Sequence, residues 1–178
     1  MKFEILILVF SFLFVMGKGN SMRYELINEM EVAAPAEDIW AVYSSPNLPK
    51  LIVKLLPDVF ERIDYVEGTG GVGTIIQVVY PAGSVPRTLK EKFVTIDDHR
   101  LLKEVQQIEG GHIAMGVKFH MISFKIIKKS PASCIIRSKI EYIVPDNLAA
   151  KISPLINVEG LVGMARAISK YVLDNKKY

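Results

Sequence analysis

From Val59 to Val144 the chain reads as one strand after another, and only afterwards as a single long helical run; no other feature restricts the fold as much. Phe60–Glu67, Thr74–Tyr80, Arg87–Ile96, Arg100–Ile108, Ile113–Lys128 and Cys134–Val144 are rich in β-branched and aromatic residues and alternate in polarity. The breaks between them are Gly68–Gly73, Pro81–Pro86, Asp97–His99, Gly110-Gly111 and Ser130-Pro131. They are short and turn-rich, as hairpins require, so consecutive strands should pair antiparallel and no βαβ unit fits.

Met22–Ala33 adds a strand in front, because Tyr24, Leu26, Met30 and Val32 fall at period two. A short helix should follow: Pro35 suits its first position, Glu37 and Asp38 favour its positive N-terminal end, and Ile39, Trp40, Val42 and Tyr43 give it an apolar side. Ser44-Ser45-Pro46-Asn47 ends it, and Leu48–Leu56 forms a second short helix closed by Pro57. Asp146–Lys177 carries Leu155, Leu161, Val162, Met164, Ala165, Ile168, Tyr171 and Val172 near helical spacing, with Pro154 and Gly160 expected to kink or interrupt its first half. One helix cannot cover a flat seven-stranded face, so the sheet must curl around it, and such a wrap leaves room for an apolar ligand.

The N-terminus is a different kind of sequence. Lys2 precedes Ile5–Met16, in which only Ser11 is polar, and Gly17-Lys18-Gly19-Asn20-Ser21 follows. That run is short for a membrane span, which needs about 20 apolar residues, and suits a signal peptide cleaved after Gly19 or Ser21. The expected organisation is therefore residues 1–21 as signal and 22–178 as one domain, destined for the secretory pathway (endoplasmic reticulum, vacuole or apoplast), with the membrane met only through the signal. An uncleaved anchor is the alternative. Loss of Lys2, Lys18 and Glu4 turns 22 basic and 19 acidic side chains into 20 and 18, a formal +2 with the charges spread along the chain. Neither nucleic acid nor anionic lipid is implied. The lone Cys134 excludes an intrachain disulfide and a cysteine-based zinc cluster. The expected partner is a small molecule; a homodimer is admitted, but the sequence does not set the oligomeric state.

Few motifs carry chemistry. Gly68-Thr69-Gly70-Gly71-Val72-Gly73 matches G-x-G-x-x-G, but strand-like Thr74–Tyr80 follows where a dinucleotide site needs a helix, so the loop is read as a tight connection. Glu91 shares a strand face with Leu89 and Phe93, and Lys103 shares one with Leu101 and Val105. A three-residue loop at Asp97-Asp98-His99 puts both charges on one face; a two-residue loop separates them, and two solvated charges remain the plainer alternative. An inward pair would have perturbed proton affinities suited to acid–base work. His112 and His120 are placed near the start and middle of the sixth of these strands; without H-x-H, HExxH or neighbouring cysteines, no metal site is expected. No G-x-S-x-G elbow occurs.

The order of elements, with Gly70-Gly71-Val72-Gly73-Thr74, Lys90-Glu91-Lys92-Phe93, Ile108-Glu109-Gly110-Gly111 and Ser133-Cys134, resembles the Bet v I-type pathogenesis-related (major latex protein) family of plants. Glu31-Val32-Ala33-Ala34, Asp38-Ile39-Trp40, Val42-Tyr43-Ser44 and Ala167-Ile168-Ser169-Lys170 are similar to its norcoclaurine synthase branch. The resemblance implies an α+β helix-grip fold: a curved seven-stranded antiparallel sheet around a long C-terminal helix, with two short helices after the first strand. It implies a cofactor-free lyase that joins an aromatic amine, dopamine, to 4-hydroxyphenylacetaldehyde by a Pictet-Spengler reaction in alkaloid biosynthesis. In that likeness Lys103 protonates or polarises the carbinolamine oxygen, Glu91 takes the ring proton, and Phe60, Leu56, Phe93 and Met164 line the tunnel. Leu89 and Ile122 stand where the branch has a tyrosine and an aspartate, and His112 and His120 replace tunnel aromatics. The alternative is a defence-type protein of the same family that binds apolar metabolites or hormones without turnover.

Overall fold

The computed structural model describes residues 10–14 and 21–175. Its strands are β1 (Phe10–Phe14), β2 (Ser21–Val32), β3 (Arg62–Glu67), β4 (Ile75–Val79), β5 (Thr88–Asp97), β6 (Leu102–Gly110), β7 (Phe119–Ser130) and β8 (Ser133–Pro145). Helices α1 (Ala36–Tyr43) and α2 (Leu48–Leu55) follow β2, a single helical turn α3 (Gly111–Ala114) follows β6, and α4 (Asp146–Ile152) and α5 (Glu159–Asp174) follow β8.

All pairings are antiparallel, in the order β1-β2-β8-β7-β6-β5-β4-β3. The seven strands β2–β8 form the expected curved sheet, and α5 lies across its inner face. Leu161, Val162, Ala165, Ile168, Ser169 and Val172 are the buried residues of α5, spaced three or four apart, so one stripe of the helix meets the sheet. Ser169 sits on that stripe without penalty because its hydroxyl donates to Ala165 O at 2.7 Å. Each large aliphatic side chain buried there contributes about 1.5–3 kcal/mol.

Several expectations are corrected in detail. The interruption expected in the C-terminal run is present at Pro154, as a 3₁₀ turn at Ser153–Leu155 between α4 and α5, whereas Gly160 lies inside α5. The strand expected over Ile113–Lys128 begins only at Phe119, because Gly110 (φ +69°) and Gly111 (φ +47°) turn the chain into α3 first. Pro35 caps α1 rather than opening it. β1 adds an eighth strand on the outer edge of β2, from Phe10↔Ile27 to Phe14↔Arg23. It belongs to the apolar run read as a signal; residues 1–9 and 15–20 lie outside the described residues, as do 176–178.

The glycine-rich loop joins β3 to β4 and precedes no helix. Gly70 has φ +113°, and a Cβ there would stand 2.5 Å from Pro46 Cβ. The loop therefore packs on the α1–α2 connection as a structural joint.

Candidate active site

The inward face of the sheet, α2 and α5 enclose a cavity of about 180 Å³. Its wall is largely apolar: Leu48, Ile52, Phe60, Ile63, Ile76, Val78, Phe93, Val105, Ile122, Phe124, Leu161 and Met164. Tyr80, Glu91 and Lys103 are the side chains on it with polar or charged groups.

That Glu91 and Lys103 share this face does not come from a three-residue loop. Asp97 pairs with Leu102 across a four-residue connection, and plain alternation from Phe93 would then send Lys103 outward. A bulge at Val94 reverses the alternation: Phe93 pairs with Val105, but Thr95 pairs with Glu104 and Ile96 with Lys103. Val94 and Thr95 thus both face out, where the Thr95 hydroxyl donates to Glu104 at 2.6 Å, and Ile96 and Lys103 face in. A second shift, between Lys90 and Glu91, leaves Lys90 outside in an ion pair with Glu109 at 2.9 Å.

Lys103 is 1% exposed. Its ammonium donates to Tyr43 O at 3.1 Å and lies 4.2 Å from the centroid of Phe93. Tyr43 is the last residue of α1, so its carbonyl has no intrahelical partner and marks the negative end of the helix, a favourable seat for a cation. α1 is fixed over the β5–β6 turn by the Trp40 indole N–H, which donates to Asp98 at 2.8 Å. Burial pushes the Lys103 ammonium down to about 8, opposed by the Glu91 charge. Burial pushes Glu91 up to about 7, opposed by Lys103. Glu91 keeps some accessible surface, and that surface is cavity wall. Each group acts on the other through its charge alone, so neither is tied up in a hydrogen-bonded pair. Near neutral pH the cavity holds one proton donor and one acceptor on a largely apolar wall.

Of the other residues singled out from the sequence, Phe60, Phe93, Ile122 and Met164 line the cavity with the pair. Leu56 packs partly buried against the core, and Leu89 is a core residue, 5% exposed, paired with Val78. His112 and His120 stand apart from the cavity: their rings stack 5.0 Å apart, one layer beyond Ile122 on the inward side of β7. Both nitrogens of His120 and Nδ1 of His112 are buried without a partner among the described residues. Burial, and then the neighbouring His112, push His120 down to about 3; burial lowers His112 too, opposed by a hydrogen bond that its ring donates to the Leu155 backbone carbonyl. The imidazoles are therefore neutral at physiological pH. Tyr80 and the Tyr43 carbonyl were not anticipated. Tyr80 was readable, since it continues the period of Ile76 and Val78; the carbonyl was not, because it depends on where α1 ends. Among the described residues no group of three or more His, Cys, Asp or Glu side chains could hold a metal ion.

Comparison with known proteins finds relatives that align over most of the chain. S-norcoclaurine synthase 2 of Papaver somniferum is 45% identical over 163 residues, 91% of this chain and 71% of the relative. S-norcoclaurine synthase 1 of the same plant is 47% identical over 160 residues, 89% and 69% respectively. The crystal structure of norcoclaurine synthase from Thalictrum flavum in complex with dopamine and hydroxybenzaldehyde superposes with a TM-score of 0.84 at 40% identity, over 93% of this chain and 98% of that one. Residues 21–175 match the pathogenesis-related protein Bet v 1 family, and the chain belongs to that family.

Proposed function

We propose that the chain catalyses a cofactor-free Pictet-Spengler condensation, and that its substrates are dopamine and 4-hydroxyphenylacetaldehyde. The observation that carries the reading is the placement of Lys103 and Glu91 on one apolar cavity, each with its proton affinity moved toward neutrality by burial. The similarity to norcoclaurine synthases supports it, and the aromatic amine and aldehyde bound by the Thalictrum flavum enzyme support the substrate class.

The amine nitrogen adds to the aldehyde carbon, forming the C–N bond and, after proton transfer from nitrogen to oxygen, a carbinolamine. Lys103 gives a proton to the carbinolamine hydroxyl as the C–O bond breaks; water leaves and an iminium remains. The electron-rich ring attacks the iminium carbon, closing the C–C bond. The Glu91 carboxylate takes the proton from the ring carbon, which restores aromaticity, and the proton returns to Lys103 through solvent. The apolar wall around Phe93, Val105 and Ile122 keeps bulk water from hydrolysing the iminium.

A second reading, binding of apolar metabolites without turnover, draws on Ile122, which presents an apolar side chain to the cavity beside the charged pair. Incubating residues 22–178 with the two substrates separates the readings. One enantiomer of product in excess supports catalysis; a racemate at the buffer rate supports binding alone. We also propose that residues 1–21 direct the chain into the secretory pathway, which a fluorescent fusion with and without them would test.

A further inference from the structure

Glu91 and Lys103 share the cavity wall with one neutral polar side chain, and nothing above gives it a task. Tyr80 stands one residue past β4, where its backbone N–H donates to Arg87 O at 3.0 Å. It continues the inward face formed by Ile76 and Val78 and, like them, lines the cavity. Its ring is held against Phe60, with centroids 5.8 Å apart. Burial raises the Tyr80 phenol far above its ordinary value, and the Glu91 charge raises it further, while no hydrogen bond contributes. The hydroxyl is therefore protonated and within the field of the carboxylate, yet the two are not bonded to each other. Both face the same apolar space. An O–H group turned into such a space is left with unused hydrogen-bonding capacity, which a ligand oxygen can satisfy.

We propose that Tyr80 is a specificity-determining residue that donates a hydrogen bond to a hydroxyl oxygen on the ring of an aromatic ligand, so that the cavity prefers phenols and catechols to plain arenes. The ring then lies between Tyr80 and Glu91, with its oxygen at one and the C–H edge open to the other. This deepens the function proposed above and rests on it for the identity of the natural ligand. The recognition itself requires only the cavity.

The test compares 4-ethylphenol with ethylbenzene, which differ by the hydroxyl alone, titrated calorimetrically into residues 22–178 and into the Tyr80→Phe variant. Phenylalanine keeps the contact with Phe60 and removes only the oxygen. The variant should bind 4-ethylphenol about tenfold more weakly and ethylbenzene within twofold of the unmodified chain. Equal weakening of both ligands would assign Tyr80 a packing role and overturn the proposal; so would no change in either, or failure of the unmodified chain to bind 4-ethylphenol. The companion assay with dopamine and 4-hydroxyphenylacetaldehyde keeps the two readings apart. Discrimination that depends on Tyr80 in a chain without turnover upholds this inference and removes the proposed reaction. Turnover with no such discrimination does the reverse.

Discussion

Lys103 is the residue on which stability and chemistry pull in opposite directions. Its ammonium is held at about 8, below the 10.5 of a free lysine, so the unfolded chain binds the proton more tightly than the folded one. That cost is full below about pH 8 and disappears as pH rises through 10.5. Lys103→Met should therefore raise stability by roughly 1–2 kcal/mol at pH 7, after losing the hydrogen bond to Tyr43, and should abolish turnover. Chemical denaturation and the condensation assay on the same variant check both halves. Glu91→Gln should lower the rate by about 10²-fold, less than Lys103→Ala, because buffer can accept a proton from an activated ring more readily than it can replace a buried cation. The rate should need Glu91 ionised and Lys103 protonated: it should fall below about pH 7 and again above about pH 8, a narrow bell in kcat/KM against pH. At this scale the pair was legible as a candidate through the family resemblance, since strand alternation left two solvated charges as the plainer reading. Their common face was not, because one bulge residue, Val94, decides it and carries no distinctive side chain.

Among the elements, the join of β6, α3 and β7 departs most from its periodicity. Ile113 to Val117 looks apolar enough to extend β7, but two consecutive positive-φ glycines place α3 there, and His112 stacks on His120 as a result. His120 is 3% exposed and neutral, with its folded value pushed from 6.5 to about 3. Protons thus bind the unfolded chain preferentially, and stability is lost as pH falls from about 6.5 toward 3. His120→Phe should remove roughly 1–3 kcal/mol of the destabilisation between pH 7 and pH 4.5, read as a smaller drop in the urea midpoint. The glycine-rich loop gives a second expectation. Gly70→Ala demands a positive φ from an L-residue and drives a methyl into Pro46, so it should cost about 2–4 kcal/mol, measured by the same denaturation, although the loop does not line the cavity.

For the molecule as a whole, the order of strands and helices was enough to read the architecture. Six strands with short turns force an antiparallel meander, and one amphipathic helix forces it to curl; β2–β8 and α5 show that arrangement. The division of the C-terminal run was half legible, since Pro154 marks the interruption but not the 3₁₀ geometry between α4 and α5. The strand β1 was not legible, because an apolar leader satisfies the composition of a signal and of an edge strand equally. A chain beginning at Met22 retains every residue of the cavity and should match the full chain in kcat/KM within about twofold. The most direct measurement of the central claim is chiral analysis of the product formed from dopamine and 4-hydroxyphenylacetaldehyde by that chain, alongside Lys103→Ala. The account predicts a large excess of one enantiomer that disappears in the variant; a racemate from the unmodified chain, or an undiminished excess from Lys103→Ala, would contradict it.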